Sequence, residues 1–434
     1  NSMVRAFYEE RGFTPAWSEV NLHAALEVLA RADQNGLDPA VYTVPVASSP
    51  AQRDIRITAA VLSYLHDLRL GRDNLKGLDA DVEMPEQVFD APVVLASALK
   101  TQDLASALVV QAPPQPDYAR LKGALSLYRN IVSRGGWGIL PEGRPADFAP
   151  GAFGEGSLRH RLQYEDPKLA ESGTDLTDAV IRFQTRHGLT PDGRVGPKTL
   201  AEINVPAATR LMQIVSNMER WRWLPRSFEP SFITINVPDA HLTLTLDGRQ
   251  VLDSVVVVGR PHDPTPILRA EGAGITVNPP WNVPTSIARR EILPKLKANP
   301  SYLLSQDMIL VNGPPGDPHG LHVNWRAIPS GTFPYRIQQH PGAKNSLGTI
   351  KVELPNRFDV YLHDTPTKGA FALTARDISH GCVRVQQILP LASYALAANL
   401  DAVDTISTDV AAGQTKYLPL QRHLPVYFLY WTAF

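Results

Sequence analysis

Cysteine is nearly missing from this chain: 434 residues carry one, Cys382. A lone thiol excludes an intramolecular disulfide and leaves none of the paired cysteines that structural zinc sites favour. An excess of charge of one sign is missing too. Lys and Arg number 42 against 43 Asp and Glu, a net charge of -1, which gives no electrostatic reason to expect nucleic acid or an anionic membrane as partner. No apolar run reaches the roughly 18 residues that a bilayer-spanning helix needs. No secretory leader is read in the opening "NSMVRAFYEERGFTPAW", so any membrane anchor would have to precede Asn1. Proline, by contrast, is abundant at 38 residues, which predicts many rigid turns. With 44% hydrophobic and 20% charged residues, the chain has the composition of packed domains, and its length predicts two or three of them.

The expected class is a multidomain α+β protein. Residues 1–139 read as a helical scaffold: "VNLHAALEVLARADQNGL" places Leu22, Ala25, Leu26 and Leu29 at spacings of three and four. "DIRITAAVLSYLHDLRLG" and "DYARLKGALSLYRNIVSRGG" repeat the style, each stopping at glycine. "LPEGRPADFAPGAFGEG" then marks a boundary, and residues 140–206 read as a small helical module. In it, helices 177–187 and 198–204 flank the turn "TPDG". A longer helix within 207–225 returns to the scaffold. From Ser231 the period changes to two. "HLTLTL" alternates before the hairpin pair Asp247-Gly248, and 253–259, 273–278, 358–364, 402–409 and 425–434 are further strand candidates. Residues 226–434 are therefore expected to be mostly β, with a lid-like insertion over about 281–341.

The chemistry concentrates in "DISHGCVRV". A thiol needs a base to act as a nucleophile near neutral pH, and histidine is the natural partner. Cys382 with either His380 or His363, the latter 19 residues earlier (382 − 363), forms a plausible activated nucleophile. Gly381 admits close backbone approach, and the N–H groups of Gly381 and Cys382 could hold an oxyanion. Two alternatives stand beside this. Cys382 is a small buried hydrophobe, or it joins His363, Asp364 and His380 around zinc.

"HDTP" followed by "SHGCVRV" resembles the catalytic signature of the YkuD-type L,D-transpeptidases. "NMERWRWLP", "VNPPWNVPTSIARREILPKL", "PGAKNSLGTIKVELPN" and the N-terminal "FYEERGFTPAW" are similar to the large, YcbB-like branch of that family. The resemblance implies that Cys382 attacks a peptidoglycan stem tetrapeptide at its third residue, releasing D-Ala and forming a thioester. An acceptor amine would then complete a 3→3 cross-link. It implies His363 as the base, with His380, Ser379, Gly381 and Arg384 in support. Arg384 has an equally available role as an ion pair holding its loop. Tyr361, Trp281 and Asp364 would line the donor pocket under the insertion. Donor and acceptor stem peptides are the implied partners, the cell envelope the location, and carbapenems a family-typical inhibitor class; no cofactor and no metal are implied. "AVIRFQTRHGLTPDGRVGPKTLAEIN" resembles the peptidoglycan-binding type 1 domain, which adds glycan as a partner. A cysteine hydrolase of the same family and a non-catalytic wall-binding protein are the alternative readings.

Overall fold

A computed structural model describes residues 2–72, 80–170, 175–399 and 401–434. The parts of the expected scaffold and module that fall on 73–79 and 171–174 lie outside the described residues. The chain forms two compact units, one of Asn1–Ala80, Met84–Ser227 and Tyr430–Phe434, the other of Asp81–Glu83 and Phe228–Leu429. Among the described residues, no helix is long and apolar enough to cross a membrane.

The first unit is helical. Several of its helices start where a polar side chain accepts an orphan N–H: Ser18 takes that of Asn21 ahead of Glu19–Ala30, and Ser49 that of Gln52 ahead of Pro50–Leu70. Glu19–Ala30 buries Ala25, Val28 and Leu29, whereas Leu26 is exposed. The buried stripe is thus one position narrower than the leucine spacing predicts. Gly71 closes Pro50–Leu70 at φ 88°, and a Cβ there would run into the Glu219 carboxylate. Ala207–Arg222 packs on Pro116–Ser133, with the buried Arg222 donating to Tyr118 (3.1 Å) and Glu219 (2.6 Å). Leu158, Leu162, Leu176, Val180, Phe183, Leu200 and Ile203 share a separate small core. Within it, Gln184 bonds Asp192 (2.8 Å), the Arg194 carbonyl (2.9 Å) and the Gly193 N–H (2.8 Å), which fixes the "TPDG" turn.

The second unit is built on one long sheet. Its central order is Phe232–Asn236, His241–Leu246, Arg249–Gly259, Val383–Val385, Leu362–His363, Ile350–Glu353 and Gly274–Val277. Asp247 and Gly248 both have positive φ and close the expected hairpin, pairing Leu246 with Arg249. Leu242, Leu244, Val256, Leu362, Val383, Val385 and Ile350 point into one apolar core under helix Ile388–Ala397. Each such buried aliphatic side chain contributes on the order of 2 kcal/mol. Segment 402–409, expected as a strand from its Val, Ile and Thr, lies instead in helix Val403–Ala411. Its apolar residues Val403, Ile406 and Val410 recur at three and four, and that period outweighs the β-branched composition. Of 358–364, only Leu362–His363 joins the sheet, because Asp359 adopts φ 52° and the Asn356 side chain organises the preceding turn.

The insertion forms its own layer. Trp281–Asn282, Ile337–Gln339 and Met308–Leu310 make a three-stranded sheet beside helices Leu293–Ala298 and Tyr302–Ser305, with the buried Trp325 stacked on Phe333. Ala288–Ile292 is a π-helical turn. Pro294, just beyond it, has no N–H to continue the regular ladder.

Candidate active site

Register builds the site. The parallel pairing of Leu362–His363 with Val383–Val385 sets Leu362 beside Val383 and His363 beside Arg384. Because side chains alternate, Leu362 and Val383 enter the core while Tyr361, His363, Cys382 and Arg384 share the opposite face. Lys351 pairs with His363 from the third strand, so Lys351, His363 and Arg384 form one cross-strand row next to the thiol. This face floors a cavity of about 1000 Å³. Its walls include Trp281, Ile287, Glu291, Tyr302 and Gln339 from the insertion, and Ser379 and His380 from the thiol loop.

Cys382 lies half-buried on the cavity floor, its sulfur 3.7 Å from the Asp359 carbonyl. Burial pushes the thiol pKa up, opposed by hydrogen bonding from the Tyr361 backbone and side chain and by the Lys351 charge. Lys351 Nζ stands 4.1 Å from the Tyr361 ring centre, and that ring lies 5.7 Å from the His363 ring. His363 is buried, and its Nδ1 is hydrogen-bonded to the Asp364 carbonyl. A carbonyl can only accept, so Nδ1 carries the proton and the neutral ring keeps its lone pair on Nε2. Burial first, and then the Arg384 guanidinium, push the His363 pKa down to about 4, against the Asp364 and Leu347 carbonyls. Neutral imidazole beside neutral thiol is therefore the resting pair, and among the described residues the thiol makes no hydrogen bond to a histidine ring.

The thiol loop is held from behind. Gly381 has φ 107°, where a side chain would be strained. Thr265 Oγ1 accepts from the Gly259 N–H and donates to the Gly381 carbonyl, both at 2.8 Å. Ser379 Oγ donates to the Cys382 carbonyl at 2.7 Å and accepts the Gly381 N–H at 3.1 Å. That N–H is thus already engaged, while the Cys382 N–H has no partner among the described residues. His380 turns away from the sulfur and pairs through Nε2 with Glu291 of the π-helical turn. Glu291 also takes Arg260 at 3.1 Å, and Arg260 and Arg290 both reach Asp263 (2.8 and 2.7 Å). Burial opposes ionisation of Glu291, but His380 and Arg260 hold its carboxyl below the usual range.

Six expected residues line the cavity together with Trp281: Tyr361, His363, Ser379, His380, Cys382 and Arg384. Asp364 does not. Its side chain points behind the strand, accepting from Thr349 N and Oγ1 (both 3.0 Å) and pairing with Lys368. Burial opposes its ionisation, but Lys368 and the Thr349 and Thr365 N–H groups hold its carboxyl below the usual range. Sequence reasoning passed over Lys351, Glu291 and Asp263. Lys351 was accessible through strand pairing; the other two have no local signal. No group of three or more His, Cys, Asp or Glu among the described residues is arranged to hold a metal ion.

The chain is similar to several known proteins. Residues 230–407 match the "L,D-transpeptidase catalytic domain", residues 157–203 the "Putative peptidoglycan binding domain" and residues 2–125 the "Scaffold domain". A Haemophilus influenzae protein named "Putative L,D-transpeptidase" is 32% identical over 221 residues, 51% of this chain. The match spans 44% of that relative's length. Among solved structures, an L,D-transpeptidase from Mycobacterium smegmatis aligns at 11% identity, covering 46% of this chain and 58% of that one, with a TM-score of 0.23. L,D-transpeptidase 1 of Mycobacterium tuberculosis aligns at 11% over 46% and 61%, with a TM-score of 0.18.

Proposed function

We propose that the chain, in which residues 230–407 match an L,D-transpeptidase catalytic domain, 157–203 a peptidoglycan-binding domain and 2–125 a scaffold domain, forms 3→3 cross-links in peptidoglycan through a thioester on Cys382. The observation that carries this reading is the shared face of Cys382, His363, Tyr361 and Arg384 on the floor of a cavity roofed by the insertion. In the first half-reaction, Cys382 Sγ bonds to the carbonyl carbon of the donor's third residue while its proton passes to His363 Nε2. The free Cys382 N–H meets the developing oxyanion. Collapse breaks the peptide C–N bond, the His363 proton goes to the departing amine, and D-Ala leaves. In the second half, His363 takes a proton from the acceptor amine, whose nitrogen bonds to the thioester carbon and restores the thiol.

The lowered pKa of His363 keeps its Nε2 lone pair free at neutral pH, although it weakens the driving force for taking the thiol proton. A cell-envelope location is the reading that matches to peptidoglycan-acting domains support. The donor is a stem tetrapeptide, the acceptor a second stem, and the residue 140–206 module contributes glycan affinity. Incubating the purified protein with a disaccharide tetrapeptide and analysing the products by mass spectrometry tests the proposal. Cross-linked dimers with free D-Ala are expected. Tripeptide and D-Ala without dimers would assign the same thioester to hydrolysis, and unchanged substrate would overturn both.

A further inference from the structure

Arg384 is the one strong charge on the thiol's own strand, and beyond lowering the His363 pKa the chemistry above gives it no task. Its guanidinium forms no ion pair and no side-chain hydrogen bond among the described residues, and its Nε is buried without a partner. Of the other cations near the floor, Lys351 is committed to Glu353 at 2.7 Å and Arg290 and Arg260 to Asp263, while Lys295 and Arg336 line the cavity from the insertion rather than from the thiol's strand. A role in bracing the thiol loop is also taken, since Ser379 and Thr265 hold that loop through the Cys382 and Gly381 carbonyls. Keeping a largely buried, uncompensated guanidinium is costly unless an anion arrives to meet it.

Geometry says which anion. Arg384 follows Cys382 by two residues, so both side chains leave the same face with Cα atoms roughly 7 Å apart. In a donor peptide the terminal carboxylate belongs to the leaving residue, and ordinary bond lengths put it roughly 4 Å from the carbonyl under attack. An arginine two positions beyond the nucleophile can therefore span both oxygens of that carboxylate while the thiol reaches the carbonyl. We infer that Arg384 is the subsite for the free carboxylate of the departing residue, so that the enzyme selects donors with an uncapped C-terminus. This deepens the transpeptidase reading and rests on it.

The test compares a stem tetrapeptide ending in D-Ala with the same peptide ending in D-Ala amide, following release of D-Ala or D-Ala amide by mass spectrometry. Wild-type protein is expected to prefer the acid by about 10- to 100-fold in kcat/KM, mostly through KM, as a charge-assisted hydrogen-bond pair provides. Arg384→Gln should lose that preference for the acid over the amide, with circular dichroism and thermal unfolding showing that the variant is folded. Arg384→Lys should recover part of the preference. Equal loss on both donors would place Arg384 at the thiol or oxyanion instead, and an undiscriminating wild type would equally overturn the subsite. Binding of the same two peptides to Cys382→Ala protein, measured by calorimetry, needs no turnover. Tighter binding of the acid is expected there, and equal affinities would overturn the inference. Wild-type protein that binds the acid preferentially but releases no D-Ala would count against the transpeptidase reading alone.

Discussion

The low basicity of His363 can be measured directly. A free imidazole titrates near 6.5, and burial together with Arg384 brings His363 down to about 4, a shift of roughly 2.5 pH units. At about 1.36 kcal/mol per unit, the folded site disfavours the imidazolium by about 3 kcal/mol. The sign follows from proton counting. Between pH 6.5 and 4 the unfolded chain binds a proton at this residue and the folded chain does not, so stability is fully present above pH 6.5 and is lost as pH falls towards 4. Histidine C2–H resonances of the labelled protein, assigned with His363→Gln, should show one ring neutral at pH 5. Denaturant unfolding should show the wild type losing about 3 kcal/mol more than His363→Gln between pH 7 and 4, because the remaining titrating groups are common to both. Arg384→Gln should raise the His363 midpoint. A His363 titration near 6.5, or parallel stability losses in the two proteins, would refute the reasoning.

Three further predictions follow from the same geometry. Asp364→Ala removes the acceptor of Thr349 N and Oγ1, and should cost about 1–3 kcal/mol of stability while leaving donor KM unchanged, as unfolding and steady-state kinetics will show. Glu291→Gln unties His380 and Arg260 from the π-helical turn, so amide hydrogen exchange over residues 285–298 should accelerate without change in the 362–363 strand. Gly348→Ala drives a methyl into the Asp364 carboxylate at φ 64°, and should lower the thermal midpoint even though the residue lies outside the cavity.

What the sequence made legible depended on how local the signal was. Helices such as Pro50–Leu70 and the Asp247-Gly248 hairpin were readable because caps, glycines and periods are written within a few residues. Segment 402–409 misled because composition and period disagreed there, and the short helix Val403–Ala411 carries few turns to settle it. In the site, Cys382 and His363 stood out by residue type and motif. Asp364 is expected in the pocket from the family resemblance, yet alternation sends its side chain to the face opposite that of its neighbour His363. His380 owes its place to Glu291, 89 residues away, and nothing near either residue announces that pair. The uncompensated state of Arg384 is likewise a property of the folded surroundings, since its sequence neighbours offer no sign that an acid is missing.

The central claim is that one thiol carries the acyl group. Mass spectrometry of the protein quenched in acid during turnover of a stem tetrapeptide addresses it directly. An adduct equal to the donor minus D-Ala, located on the peptide containing Cys382 and absent from Cys382→Ala, is predicted. Release of D-Ala by Cys382→Ala at the wild-type rate, or an adduct on any other residue, would contradict the account.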